Sequence, residues 1–138
     1  MFNYWAILLA TVLQFIFGAV WYSFLFGKLW GKMHGFEKLS KDVQEKMMKK
    51  MGPFYIAQFL VTFLTTFVLA LFMEALPQDW NAYGMAGFFW LGFVVPTVVS
   101  GVIFGGTEGK WIIKKIGVQI GASFGCLMIA AAVLGYLR

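Results

Sequence analysis

The sequence predicts an all-α integral membrane protein, a four-helix transmembrane bundle with its N-terminus and C-terminus both outside. Three observations point there: an unusually apolar composition, four apolar stretches of spanning length, and lysines confined to alternate connections. Of 138 residues, 61% are hydrophobic and 12% charged, against about 45–50% and roughly 25% in soluble domains. A soluble fold this small has too much surface for its volume to bury that much apolar area. Lipid is the natural cover, and the length suits one membrane domain over 1–138.

The apolar stretches run over about 4–26, 54–76, 83–104 and 116–137. Each holds roughly 20 residues or more, enough at about 1.5 Å per residue to cross a hydrocarbon core about 30 Å thick. Backbone groups in lipid must be satisfied within the segment, so each stretch is expected to be helical. The alternation of a barrel strand is absent. The first stretch is not expected to be a cleaved signal peptide, since it lacks a basic leader and a small-residue cleavage site and its apolar run is too long.

In the first span, Ala6, Ala10, Gln14 and Gly18 are four apart. Gln14 sits near mid-membrane, where an amide facing lipid is costly, so it should face the bundle. The connection 27–53 carries seven lysines. Within it Ser40 is placed to cap a helix over 41–51, stopped by Gly52 and Pro53. Val43, Met47 and Met51 give that helix an apolar stripe beside Lys41, Lys46, Lys49 and Lys50. It reads as a short amphipathic helix lying on the cytoplasmic leaflet. A calmodulin-type or nucleic-acid role is the competing reading, but lysines facing anionic lipid account for the same residues.

The second span places Gln58, Thr62, Thr65 and Thr66 on one side, and the fourth adds Gln119 and Ser123. These polar groups either join helices or line a path, with Gln14, Gln58, Thr62, Thr66 and Gln119 the candidates for the bundle interior. The short connection 77–82 has no Lys or Arg. In the third span, Pro96 deprives the Gly92 carbonyl of its donor and predicts a kink between them. The connection 105–115 carries Lys110, Lys114 and Lys115. Its glycine-rich turn also holds Glu108, the candidate functional acid, and has no GxxxxGK[ST] phosphate loop. In the fourth span, Gly117, Gly121 and Gly125 form a groove that lets another helix backbone approach, in this chain or a second copy.

Ten lysines lie in the first and third connections, and Arg138 is the remaining cation. The positive-inside rule makes those connections cytoplasmic, and a bacterial cytoplasmic membrane is the expected location. Tyr4, Trp5, Trp80, Tyr83 and Tyr136 would mark the outer interface, and Trp21, Tyr22, Trp30, Tyr55 and Trp111 the inner one. Trp90 falls inside the third span and fits neither belt. A weak echo, Gly27-Lys28-Leu29-Trp30 against Gly109-Lys110-Trp111, follows the first and third spans.

No ionisable residue reaches mid-membrane, which disfavours a carrier built on a central carboxylate. His34 has no histidine or cysteine beside it to share a metal, and Cys126 lies in an apolar span where a thiol is inert. No nucleophile–base pair is visible, so no catalytic residue, metal or cofactor is expected.

Asn3 opening the first span, then Gly18, Trp21-Tyr22, Phe26-Gly27-Lys28 and Trp30, together resemble the start of the DUF1761 family. Glu108-Gly109-Lys110 leading into the Gly121 to Gly135 stretch resembles its C-terminal half. The resemblance covers most of the chain. It implies a small, mostly bacterial membrane protein with four spans and no assigned function. The expected role is binding of membrane lipids or a partner without catalysis, with self-association and without nucleic acid. The alternative is a subunit of a homo-oligomeric channel or transporter for a small solute.

Overall fold

A computed structural model of the chain describes residues 3–77 and 79–137. Four helices are long and apolar enough to cross a membrane: Tyr4–Leu25, Gly52–Ala75, Ala82–Phe104 and Gly109–Leu137. No strand occurs among the described residues. The protein is thus an all-α, multi-pass membrane protein. Gln78 in the short connection and Arg138 at the C-terminus lie outside the described residues.

Helix α1 (Tyr4–Val20) starts at Asn3, whose side chain accepts from Ala6 N–H at 3.2 Å. The same side chain donates to the Leu137 carbonyl at 3.0 Å, tying the two ends of the chain together. A π-helical turn over Trp21–Leu25 follows, closed by Phe26 N–H on the Trp21 carbonyl, and leads into α2 (Gly27–Met33). Helix α3 (Lys41–Lys49) is capped by Ser40, as the sequence predicts, but ends two residues early. Gly52 and Pro53 do not stop it: they open α4 (Gly52–Ala75), with Pro53 in the first turn, where a missing N–H costs nothing. Val43, Met47 and Met48 on α3 are exposed, so its apolar side is not packed against the bundle.

The third span comprises α5 (Ala82–Phe89), a π-helical turn over Trp90–Val94, and α6 (Val95–Phe104). Asn81 caps α5 by accepting from Gly84 N–H at 2.7 Å. The distortion expected between Gly92 and Pro96 takes the form of this π turn, closed by Val95 N–H on the Trp90 carbonyl. Pro96 has no N–H for the Gly92 carbonyl, and widening the preceding turn takes up the mismatch. The first and third spans thus carry matching π turns, each beginning at a tryptophan. Helix α7 (Ile112–Leu137) starts nearer the turn than the expected 116, which puts Lys114 and Lys115 on its first turn.

Helix α7 is the central element: it packs against α1, α5 and α6, while α4 packs mainly on α1. The apolar core, including Ile7, Leu69, Met73, Met85, Leu127 and Leu134, lies in the half of the bundle nearer the chain ends. Toward the lysine-rich end the helices bury less, with Val102, Val118 and Ala122 the buried apolar residues there. Large side chains such as Phe24, Leu60, Leu91, Phe104 and Ile113 point outward. In water that pattern would drive aggregation; in a bilayer it is the lipid-facing surface.

Candidate functional site

Two places concentrate polar chemistry, one inside the bundle and one at its lysine-rich end. Inside, Gln14 on α1 is buried and donates to Thr66 Oγ1 on α4 at 2.7 Å and to the Ala10 carbonyl at 3.1 Å. Thr66 in turn donates to the Thr62 carbonyl at 2.8 Å. Cys126 Sγ on α7 donates to the Gln14 carbonyl at 3.7 Å. Three helices therefore meet at Gln14, through its side-chain amide and its backbone carbonyl, near the middle of the spans.

Gln58 does not join them. It is exposed, and its amide donates to Thr62 Oγ1 at 3.2 Å on its own helix. Six residues from Gly52, it lies about 9 Å from the helix start, close enough for a long amide to reach the polar interface. Thr62 and Gln119 are half-buried, between these extremes. The polar side of the second span thus runs out of the bundle toward the lysine-rich end.

The glycines of α7 also behave differently from a backbone groove. A methyl group at Gly125 would overlap the Phe17 ring, and one at Gly121 would stand 2.8 Å from the Trp21 ring. Gly117 is exposed with nothing against it. Two of the three positions thus receive aromatic rings from the first span of the same chain, and the third faces outward.

Trp21 and Trp90 hold the central helix from two sides, which belt reasoning does not anticipate. Trp21 Nε1 donates to the Val118 carbonyl at 2.9 Å. Trp90 Nε1 donates to the Ile120 carbonyl at 3.2 Å and to Ser123 Oγ at 3.0 Å. An indole N–H in lipid needs an acceptor, and a helix carbonyl has a second lone pair to offer. The signal in the sequence was the misplaced Trp90, too deep for an interface belt.

At the lysine-rich end a cleft of about 490 Å³ opens between the segment after α2 and the turn between α6 and α7. Lys32, Lys38, Lys110 and Lys115 line it against Glu37 and Glu108, leaving an excess of positive charge. Two glycines shape its walls, Gly35 at φ 70 and Gly106 at φ 78, a left-handed conformation that a side chain resists. Gly105, at φ −91 and ψ 15, precedes Gly106. A right-handed residue followed by a left-handed one turns successive N–H groups to one side, a concavity suited to anions. Thr107 Oγ1, in the same turn, is buried with no hydrogen-bond partner.

Aromatic rings restrain the cations here. Lys110 and Lys114 lie over Trp111 at 5.6 Å and 5.4 Å, and Lys115 lies over Trp30 at 5.7 Å. His34 packs at a tilt against Trp30, with Nδ1 at 2.8 Å from the Trp30 carbonyl. Glu108 pairs with Lys110 at 3.5 Å, both largely exposed, so the pair contributes little to stability. Among the described residues no three His, Cys, Asp or Glu side chains gather as a metal site would need. What this cleft offers is an excess of positive charge, with the unpartnered Thr107 hydroxyl buried in its wall.

The family described as "Protein of unknown function (DUF1761)" matches residues 5–135. No curated protein and no solved structure matches the chain.

Proposed function

The chain belongs to the DUF1761 family, and from its own residues we propose that it binds anionic membrane lipid at its lysine-rich end and catalyses nothing. One observation carries this reading: two lysine-bearing connections far apart in sequence converge on one cleft. In the orientation that places those connections in the cytoplasm, the cleft sits at the headgroup layer of the inner leaflet of a bacterial cytoplasmic membrane. Each lysine near an anionic surface contributes about 1 kcal/mol of attraction. Helix α3 adds exposed Val43, Met47 and Met48 beside lysines, the composition of a helix resting in the interface.

Native mass spectrometry tests this on protein released from nanodiscs holding equal amounts of phosphatidylglycerol and phosphatidylcholine. Retained lipid should be enriched in the anionic species. Replacing Lys32, Lys38, Lys110 and Lys115 together by glutamine should abolish the enrichment while the protein stays helical. Equal retention of the two lipids by the unaltered protein would sink the reading.

The second reading is a homo-oligomeric channel or transporter for a small solute. The buried Gln14–Thr66 pair favours it, as hydrogen-bonding groups near mid-membrane could line a path between assembled copies. A defined oligomer in the same spectra, with flux in liposomes, would support that reading. A monomer without flux would remove it.

A further inference from the structure

We infer that the turn at Gly105, Gly106 and Thr107, with Lys32, Lys110 and Lys115 around it, is a phosphate-binding site. This rests on the lipid-binding reading and narrows it to one chemical group in one place. Four observations converge. The first is the Thr107 hydroxyl, buried without a partner. Buried polar atoms in native proteins are nearly always paired, and an unpaired one calls for an explanation such as an absent ligand. A hydroxyl can donate to a phosphate oxygen.

The second is the backbone: Gly105 at φ −91 and ψ 15 followed by Gly106 at φ 78 is a succession of conformations that can turn neighbouring N–H groups toward an anion. The third is charge: four lysines against two glutamates line the cleft. The fourth is rigidity and size. Rings of Trp111 and Trp30 hold Lys110 and Lys115 close to their positions, which lowers the ordering cost of binding. The cleft volume, about 490 Å³, falls within the range of about 300–1,000 Å³ typical of small-ligand sites. It exceeds what one phosphate fills, leaving space for the rest of a headgroup.

Glu108 gives the site a sign that can be tested. It competes with the ligand for Lys110, to which it is paired at 3.5 Å. Removing its charge should tighten anion binding, whereas a purely structural role for the pair would not. The ligand chemistry is a phosphate group, carried either by a phospholipid headgroup or by free phosphate.

The experiment uses the full chain in micelles of a phosphate-free maltoside detergent, titrated with inorganic phosphate and followed by ³¹P line broadening. Saturable binding is expected. Thr107→Val and Gly106→Ala should each weaken it at least tenfold, and Glu108→Gln should tighten it several-fold, all with unchanged helical circular dichroism. Absence of saturable binding, or variants that bind like the unaltered protein, would overturn the site. In discs containing phosphatidylglycerol, phosphate that displaces retained lipid identifies the headgroup as the occupant. Binding that leaves lipid retention unchanged identifies free phosphate and still supports the site. If the unaltered protein retains no excess anionic lipid yet phosphate binding depends on Thr107, the lipid reading fails and the phosphate site stands.

Discussion

Gly125→Ala should destabilise the bundle by about 1–3 kcal/mol, the usual cost of forcing an extra methyl into a packed site. The added carbon would occupy space now filled by the Phe17 ring. Gly121→Ala should also cost, because the Trp21 ring beside it is pinned by its bond to the Val118 carbonyl and cannot swing away freely. Gly117→Ala is the control. Nothing stands near that position, so its effect should stay within about 0.5 kcal/mol or favour the helix slightly. In the double variant Phe17→Ala with Gly125→Ala the loss should fall short of the sum of the two single losses, since the two sites share one space. Unfolding in mixed micelles of increasing dodecyl sulfate fraction, followed by circular dichroism, reads all of these variants. Equal losses at Gly117 and Gly125 would show that the rings do not fill the groove as described.

Gln14→Leu should cost about 1–2 kcal/mol, the upper part of what interhelical hydrogen bonds contribute in membranes. The amide links α1 to α4 through Thr66 and occupies a buried site, so leucine removes the link without leaving a large cavity. Thr66→Val should cost a similar amount. In the double variant the losses should fall short of their sum by about 0.5–2 kcal/mol, because both remove the same bond. Gln58→Leu should be close to neutral, since its amide bonds within its own helix at an exposed position. The same variants separate glue from pore: a Gln14→Leu protein that keeps its stability and oligomer but loses flux would favour transport over lipid binding.

The polar residues show what periodicity can and cannot say. The first span alone points Gln14 inward, because a mid-membrane amide facing lipid is costly, and Gln14 is buried. Its partner does not read: Gln58, Thr62 and Thr66 share one side of the second span, yet the structure pairs Thr66 with Gln14 and leaves Gln58 exposed. Where α4 stays against α1 depends on packing at the far end, around Leu69 and Met73. The cleft was legible only in pieces. Glu108 and the lysines stood out in the sequence, but the unpaired Thr107 hydroxyl and the meeting of the two turns did not.

The sequence by itself determined the class, the number of spans, the lysine-rich connections, the Ser40 cap and the place of the distortion near Pro96. Lipid explains that reach: with no water to satisfy backbone groups, a long apolar run has to be helical, and length alone makes it a span. The tertiary structure decided the rest. It seated Phe17 and Trp21 on the glycines of α7, brought Trp21 and Trp90 to carbonyls 97 and 30 residues away, and closed a basic cleft from two distant turns. When every face of a helix is apolar, its pattern no longer marks which side meets a neighbour. The shapes of rings and the few available hydrogen bonds make that choice.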